Sequence, residues 1–146
     1  MTKITILGSG AAPGVPSVSG GWGCCNPLNP KNRRFRTGTY IELNGTKILI
    51  DTSPDIRLQL LNNSIKAVDG ILYTHAHADH LHGIDDLREL NRISQMPIDI
   101  YADFNTAETI RTRFPYLLTD REHLKNSLKV AILVLHEVTH GQTFYI

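Results

Sequence analysis

The segment Thr-His-Ala-His-Ala-Asp-His at residues 74–80 carries four metal-binding side chains within the six positions 75–80. It follows a short apolar run, residues 68–73, whose length and composition predict a buried strand. Imidazole nitrogens and carboxylate oxygens are common ligands of zinc and related divalent ions. Isolated histidines are common on protein surfaces, whereas this spacing at the end of a buried strand serves no packing purpose. The segment therefore predicts a metal site and, with it, hydrolytic chemistry.

The spacing of the four side chains predicts two neighbouring ions. If residues 71–77 are extended, His75 and His77 project from the same face and can share one ion. Asp79 and His80 follow a turn and are adjacent in sequence, so they point in other directions and suit a second ion. Two ions side by side can neutralise the charge that develops on a phosphoryl or acyl oxygen.

Composition narrows the class of protein. The 146 residues contain no long apolar run, which predicts a single domain without a membrane-spanning segment. Residues 1–7 alternate like a strand and show no signal peptide, so we expect a cytoplasmic protein. The 15 Lys and Arg residues nearly balance the 14 Asp and Glu residues, which argues against a broad electrostatic field for nucleic acid or membranes. Cys24 and Cys25 are neighbours, so no disulfide framework is indicated.

Strand-like and helix-like segments alternate along the chain, which predicts a compact α/β unit. A glycine- and proline-rich stretch at residues 11–36 predicts an ordered loop. Asn44-Gly45 between apolar runs predicts a β-hairpin, and Ser53-Pro54-Asp55 predicts the start of a helix. The predicted strands are residues 3–7, 40–43, 46–50, 68–73, 97–101, 130–135 and 143–146. Further helices are predicted over residues 80–93, with Leu87, Leu90 and Ile93 on the inner side, and 105–114, while residues 117–128 are polar and irregular or helical.

Residues 74–80 resemble the first metal motif of the metallo-β-lactamase superfamily. Four further segments narrow the resemblance to the branch that contains cyclic-phosphate phosphodiesterases of the PhnP type, with ribonuclease Z as a close relative. These segments are Ile6-Leu7-Gly8-Ser9-Gly10, Gly14-Val15-Pro16, Asn32-Arg33-Arg34 and, at residues 49–55, Leu-Ile-Asp-Thr-Ser-Pro-Asp. The resemblance covers essentially the whole chain but only the first part of the family's domain. It implies the N-terminal part of an αββα sandwich, in a single incomplete domain over residues 1–146.

The resemblance also implies roles for individual residues. His75 and His77 would hold one divalent ion, zinc or manganese, while Asp79 and His80 would hold the other. Asp79 would also position the attacking water and take part in proton transfer. Asp51 would be a hydrogen-bonding partner behind the ligands, with a structural role as the alternative. His82 would support the ligands or line the substrate pocket, with a plain helix-surface residue as the equal alternative.

The early loop leaves two questions open. It contains the basic residues Lys31, Arg33, Arg34 and Arg36. This cluster could contact a phosphate, although a solvated basic loop explains it at least as well. Proteins of the PhnP type hold a structural zinc with spaced cysteines, whereas the thiols here are the adjacent Cys24 and Cys25. Two neighbouring thiolates form a poor tetrahedral set, so we do not predict that zinc, and a packing role for one thiol is the expectation.

The later metal ligands of the family are the main departure. A complete member needs a third-motif histidine, a bridging aspartate and a last histidine. His140 is a candidate for the first of these, but residues 136–146 also resemble the turn and strand that precede that motif, and we favour the second alignment. With two protein ligands per ion, we expect weak or partial metal binding. The missing half of the sandwich would leave an apolar sheet face uncovered, through which chains could self-associate.

Three functions remain open for the sequence. The leading hypothesis is a metal-dependent phosphodiesterase that acts on a small cyclic or nucleotide-like phosphodiester, with low activity expected in a truncated chain. The second is a ribonuclease Z-like nuclease that processes tRNA 3′ ends, against which the balanced charge and the lack of a basic arm both count. The third is a non-catalytic remnant of the fold.

Overall fold

The structure is a computed structural model that describes residues 1–119 and 132–146. Strands in these residues occupy Thr2–Gly8 (β1), Gly38–Leu43 (β2), Thr46–Ile50 (β3), Gly70–Leu72 (β4), Ile98–Ala102 (β5) and Leu133–Glu137 (β6). Helices occupy Ile56–Asn62 (α1), Ala78–Leu81 (α2), Leu87–Ser94 (α3) and Phe104–Arg113 (α4), with 3-10 turns at Pro30–Asn32, Ile84–Asp86 and Pro115–Leu117. None of the described helices has the length and apolar character needed to cross a membrane.

The strands form one sheet in the order β1-β2-β3-β4-β5-β6. The first three strands pair antiparallel, whereas β3 to β6 pair parallel. Strand β1 therefore runs in the same direction as β3 to β6, and the carboxyl ends of these strands lie at one edge of the sheet, which we call the carboxyl edge. The loops that leave this edge carry Ser9, Asp51, residues 74–80 and His140.

Cross-strand register divides the sheet into two faces. One row of paired residues consists of Thr5, Tyr40, Leu49, Ile71, Ile100 and Leu135. The neighbouring row, on the opposite face, consists of Ile6, Thr39, Ile50, Leu72, Tyr101 and His136. Tyr40, Leu49, Ile71 and Ile100 of the first row share one buried core with helical residues such as Ile56, Leu87 and Ile110. We call this side the helix-covered face and the other side the open face.

The open face is apolar and only partly covered. Over β5 the ring of Phe144 stacks on Tyr101, with centroids 4.8 Å apart. Ile146 packs over β4 so closely that a Cβ added at Gly70 would lie 2.8 Å from its Cγ2 atom. Over β1, in contrast, Ile4 and Ile6 remain 62% and 63% exposed. The described residues therefore cover the β4–β5 side of this face and leave the β1 side open.

The predicted hairpin is confirmed. Asn44 and Gly45 both have positive φ angles, 51° and 98°, as a two-residue type I′ turn requires. Strands β1, β2, β3 and β5 and helix α4 also lie within about two residues of their predicted positions. The long loop before β2 is ordered by backbone hydrogen bonds between Val15 and Arg34 and between Gly10 and Phe35.

The prediction of one helix over residues 80–93 is wrong. The chain instead forms α2, a 3-10 turn and α3, with the break at Gly83. The backbone at Gly83 approaches the β3–α1 segment so closely that an added Cβ would lie 2.1 Å from the carbonyl oxygen of Ser53. A continuous helix would separate these segments. The reorientation buries Leu87 and Leu90 as expected, whereas Ile93 is 60% exposed.

Three further predictions differ from the structure. Helix α1 begins at Ile56 rather than at residue 53. Ser53 Oγ nevertheless accepts a hydrogen bond from the Asp55 amide in the turn before the helix, and the Asp55 carboxylate binds Arg36. Strand β6 begins at Leu133. Residues 143–146 form no strand, and the side chains of Phe144 and Ile146 pack on the open face. The prediction for residues 117–128 falls mostly outside the described residues.

Candidate metal centre

The histidine segment lies in the loop that leaves the carboxyl edge after β4. This strand ends at Leu72, within the predicted strand at residues 68–73, and residues 73–77 lie in the loop beyond it. Helix α2 begins at Ala78, with His77 as its N-cap residue. The amides of His80 and Leu81 donate to the carbonyl oxygen of His77 at 3.0 and 2.9 Å, which closes a tight turn.

This turn gathers the predicted ligands in one place. The ring centroid of His75 lies 4.6 Å from that of His77 and 4.0 Å from that of His80. The turn thus brings the ring of His80 next to that of His75, and the assignment of His80 to a second ion stays a prediction. Oδ2 of Asp79 lies 3.5 Å from Nε2 of His80.

Asp51 lies behind the histidines and fixes the orientation of His80. Its side chain is buried, and Oδ2 lies 2.7 Å from Nδ1 of His80. A carboxylate only accepts hydrogen bonds, so Nδ1 of His80 carries the hydrogen and, in the neutral ring, Nε2 keeps its lone pair. Asp51 has a left-handed backbone with φ 61°, unusual outside glycine, which turns the chain at the end of β3 toward this loop.

Thr74 is a member of the site that the sequence analysis did not single out. Its hydroxyl lies 2.8 Å from Oδ2 of Asp51, and its amide donates to Oδ1 at 2.8 Å. The carboxylate takes the one hydroxyl hydrogen, so the Thr74 oxygen accepts from Nδ1 of His75, 3.1 Å away. His75 then also presents a free Nε2 atom. The position of Thr74, directly before the first histidine, is the only sequence feature that could have indicated this role.

The chemistry of these atoms fits a divalent metal. When the His80 ring is neutral, its Nε2 lone pair and Oδ2 of Asp79, which lie 3.5 Å apart, can both bind one cation. Tetrahedral zinc ligands at about 2.1 Å from the ion are separated by roughly 3.4 Å, close to that distance. The Nδ1 partners found on His75 and His80 are those that orient metal-binding imidazoles. Within residues 1–119 and 132–146, however, no three or more His, Cys, Asp or Glu side chains are arranged so that they could hold the same metal ion.

A buried hydrogen bond between Tyr73 and Thr52 supports the histidine loop. Tyr73 is 5% exposed, and its phenol oxygen lies 3.0 Å from Oγ1 of Thr52. Burial raises the pKa of the Tyr73 phenol above its usual range, so the group stays neutral. The Thr52 backbone also accepts from the Gly83 amide at 2.9 Å. Together these bonds tie the β3 end, the histidine loop and the break after α2 into one unit.

Two other candidate histidines are not brought into the cluster. His82 is exposed, and its ring packs edge-on against Phe114 with centroids 5.9 Å apart. This contact fits the helix-surface alternative better than a role at the ligands. His140 is exposed in the turn after β6, at the same carboxyl edge, and its role as a ligand stays a prediction. Cys24 is exposed, Cys25 is half-buried and both are free thiols.

Comparison with known proteins places the chain in a family. Residues 46–146 match the model of the beta-lactamase superfamily domain. A protein of Porphyromonas gingivalis (strain ATCC BAA-308 / W83) named octanoyltransferase is 39% identical over 116 residues, which cover 79% of this chain and 23% of that protein. Ribonuclease Z of Clostridium beijerinckii (strain ATCC 51743 / NCIMB 8052) is 28% identical over 116 residues, which cover 73% of this chain and 38% of that protein. The chain thus spans well under half the length of either relative.

Solved structures agree with this assignment. A diphosphatase from the PhnP family superimposes with a TM-score of 0.77 at 35% identity, over 96% of this chain and 52% of that chain. The zinc-bound PqqB of Methylobacterium extorquens superimposes with a TM-score of 0.69 at 21% identity, over 99% of this chain and 48% of that chain. The six described strands and their helices correspond to about half of each fold. The chain therefore has the metallo-β-lactamase fold and belongs to the beta-lactamase superfamily.

Proposed function

We propose that the chain acts as a metal-dependent phosphodiesterase on a small cyclic or nucleotide-like phosphodiester. The observation that carries the proposal is the cluster of His75, His77 and His80 at the carboxyl edge, in which Asp51 leaves Nε2 of His80 free. The 35% identity to a diphosphatase of the PhnP family supports phosphoryl chemistry over other reactions of the superfamily.

In this proposal His75 and His77 hold one divalent ion, and Asp79 and His80 hold the other. Bound zinc or manganese would stabilise negative charge on the phosphoryl oxygens and make water more acidic. The Asp79 side chain is 20% exposed beside His80, and in this proposal its carboxylate orients the attacking water and accepts its proton. Asp51 and Thr74 contact no substrate and act by holding the two imidazoles in their metal-binding orientation.

Hydrolysis of bis(p-nitrophenyl) phosphate with added manganese or zinc tests the proposal. We expect Asp79→Ala to lower the rate by about 100-fold or more, as loss of a general base does. Asp69→Ala is the matched control, because Asp69 is an exposed carboxylate at the opposite edge of the sheet, before β4. Equal background rates for wild type and Asp79→Ala would rule out the enzyme and favour the non-catalytic remnant.

Metal retention gives a second test. Because no described group of three or more side chains surrounds one point, we expect the purified protein to hold zinc or manganese weakly and to lose it on dialysis. Elemental analysis after dialysis checks this expectation. Two ions per chain retained by the monomer would contradict it.

The match to ribonuclease Z of Clostridium beijerinckii supports a second candidate, tRNA 3′-end processing. The two candidates differ in the size of their substrate. Cleavage of a precursor tRNA, together with no hydrolysis of small diesters under the same metal conditions, would favour the nuclease.

We also propose that chains self-associate through the open face. Ile4 and Ile6 lie on it with more than half of their surface exposed, and Ile41, Ile48 and Ile50 continue the apolar surface across β2 and β3. Contiguous exposed apolar surface of this kind promotes association.

A further inference from the structure

A groove at the surface separates α1 from α3. Its most buried residues are Leu60 and Leu90, which are 8% and 4% exposed. Leu61 of α1 and Ile93 of α3 also line it, and each keeps 60% of its surface exposed. The groove has a volume of about 490 Å³, and we call it the helix groove. Two neighbouring helices thus expose apolar side chains at positions where a free surface usually carries polar ones.

The exposed apolar surface continues beyond the helix groove. Leu58 lies one turn before Leu61 on α1 and is 44% exposed. Met96, two residues after the end of α3, is 65% exposed. Clusters of exposed apolar side chains with a polar rim mark sites of protein–protein interaction. The residues on and beside these two helices therefore indicate an interface.

Charged side chains rim the helix groove, with opposite signs on its two sides. Arg57 and Lys66 lie on the α1 side, whereas Asp86 and Glu89 lie on the α3 side. Arg57, Lys66 and Asp86 form no ion pair with any described residue, and Glu89 pairs with Arg92, which lies outside the groove. Burial raises the pKa of Asp86, and the positive charge of Arg57 partly offsets that shift. The two sides of the groove therefore present a positive row and a negative row.

This arrangement of charge matches itself. The four charges sum to zero, so the rim favours neither an acidic nor a basic partner as a whole. It fits a partner that presents the same two rows in reverse order. A second copy of the chain does so when a two-fold axis runs along the groove, because the rotation lays the α1 side of one copy on the α3 side of the other. A two-fold axis across the groove would instead lay positive charge on positive charge, so charge complementarity selects the first arrangement.

We propose that the helix groove is the interface of a two-fold symmetric dimer of this chain. In the dimer, Leu61 and Ile93 of each copy pack into the groove of the other, and Arg57 faces the partner's Asp86. The interface lies on the helix side of the sheet, so it is separate from the open face and leaves the histidine cluster of both copies accessible at the carboxyl edge. The inference does not depend on the proposed phosphodiesterase function.

Sedimentation velocity over a concentration series measures the dimer. All proteins compared carry Ile6→Thr, which reduces association through the open face, and the protein with this substitution alone is the parent. We expect the parent to show a single monomer–dimer equilibrium without larger species.

Reversal of one charge on either side of the helix groove should weaken the dimer. We expect Arg57→Glu and Asp86→Lys each to raise the dissociation constant about tenfold, because symmetry turns two attractive contacts into repulsive ones. Arg113→Glu is the matched control, because Arg113 is an exposed arginine at the end of α4, outside the groove. Its dissociation constant should stay within about twofold of the parent value.

A mixture of the two charge variants separates contact between copies from effects within one chain. In a dimer of one Arg57→Glu chain and one Asp86→Lys chain, the two reversed side chains face each other, and the second contact is the original pair. We expect the mixture to dimerise about as tightly as the parent, although each variant alone dimerises weakly. A loss of stability within either chain cannot produce this recovery.

Apolar variants test the packing of the groove. We expect Ile93→Ser to raise the dissociation constant about tenfold or more, because the side chain no longer fills the partner's groove. Phe104→Ser is the matched control, because Phe104 is 59% exposed at the start of α4. It should leave the dissociation constant within about twofold of the parent value.

A parent protein that stays monomeric over the whole series would overturn the inference. The same holds for an equal loss in Ile93→Ser and Phe104→Ser, or for a mixture of the charge variants that dimerises no better than either variant alone. Circular dichroism of each variant identifies misfolding, and in that case Leu61→Ser on the opposite helix provides the comparison.

Discussion

The two faces of the sheet are built from alternate residues of the same strands, yet they differ in what covers them. On the helix-covered face, Leu49, Ile71 and Ile100 are fully buried. On the open face the apolar residues range from the stacked Tyr101, 9% exposed, to Ile6 at 63%. Alternation along a strand therefore places apolar side chains on both faces without deciding which will be buried, because burial depends on the segments that pack from outside.

The largest expected difference in unfolding free energy between the two faces is between substitutions at neighbouring residues of β4. Ile71 is fully buried on the helix-covered face, whereas Leu72 is half-buried on the open face. We expect Ile71→Ala to lower the free energy of unfolding by about 2–5 kcal/mol, because it leaves a cavity. Leu72→Ala should cost about 1 kcal/mol, because less contact is lost and water can fill the space. Urea unfolding of both variants measures the difference, and equal losses would mean that a partner covers the open face.

A substitution at Phe144 tests how much the covered part of the open face contributes to stability. Its ring stacks on Tyr101, which in turn stacks on His136 with centroids 4.9 Å apart. We expect Phe144→Ala to cost about 1–2 kcal/mol in unfolding free energy, since it removes an aromatic pair and uncovers Tyr101. Phe104→Ala is the control, because Phe104 is 59% exposed at the start of α4. Similar losses for the two variants in thermal unfolding would mean that the stack contributes nothing specific.

The smallest effect on stability is expected at the uncovered part of the open face. Ile6→Thr keeps a β-branched residue in β1 and should change the free energy of unfolding by less than about 0.5 kcal/mol. It should nevertheless shift any self-association toward monomer, because it removes exposed apolar surface. Sedimentation velocity over a concentration series measures this shift. An unchanged monomer fraction would move the association to another surface.

Local sequence determined much of this fold. Asn44-Gly45 fixed the hairpin because its two positive φ angles are a local requirement. The four candidate ligands could also be singled out from the sequence, since their spacing within one loop is itself the pattern, and their role as ligands stays a prediction. The break at Gly83 was not, because it results from a close approach to Ser53, thirty positions earlier in the sequence. Likewise, Ile93 fits the helical period of the core, and only the break explains why it faces solvent.

The candidate metal centre likewise has residues that the local sequence indicates and residues whose role depends on contacts seen only in the structure. Histidine and aspartate indicate a metal by their chemistry, whereas Thr74 is informative only once its hydroxyl is seen between Asp51 and His75. The return of His80 onto His75 depends on a four-residue helix that no periodicity could reveal. Residues that act through a neighbour carry little pattern of their own, so the sequence singled out the candidate ligands and, by resemblance, Asp51, but not Thr74.

The tight turn at Asn44-Gly45 also bears on how the chain folds. Strands β2 and β3 meet across two residues, whereas β1 reaches β2 across the long loop of residues 9–37 and β3 reaches β4 only through α1. Closing a longer loop costs more chain entropy, and this cost is met before the contacts that offset it have formed. We therefore expect the β2–β3 hairpin to form early in the folding transition state and the parallel pairs to follow. The last parts to assemble are then the carboxyl-edge loops, so the histidine cluster is among the late products of folding.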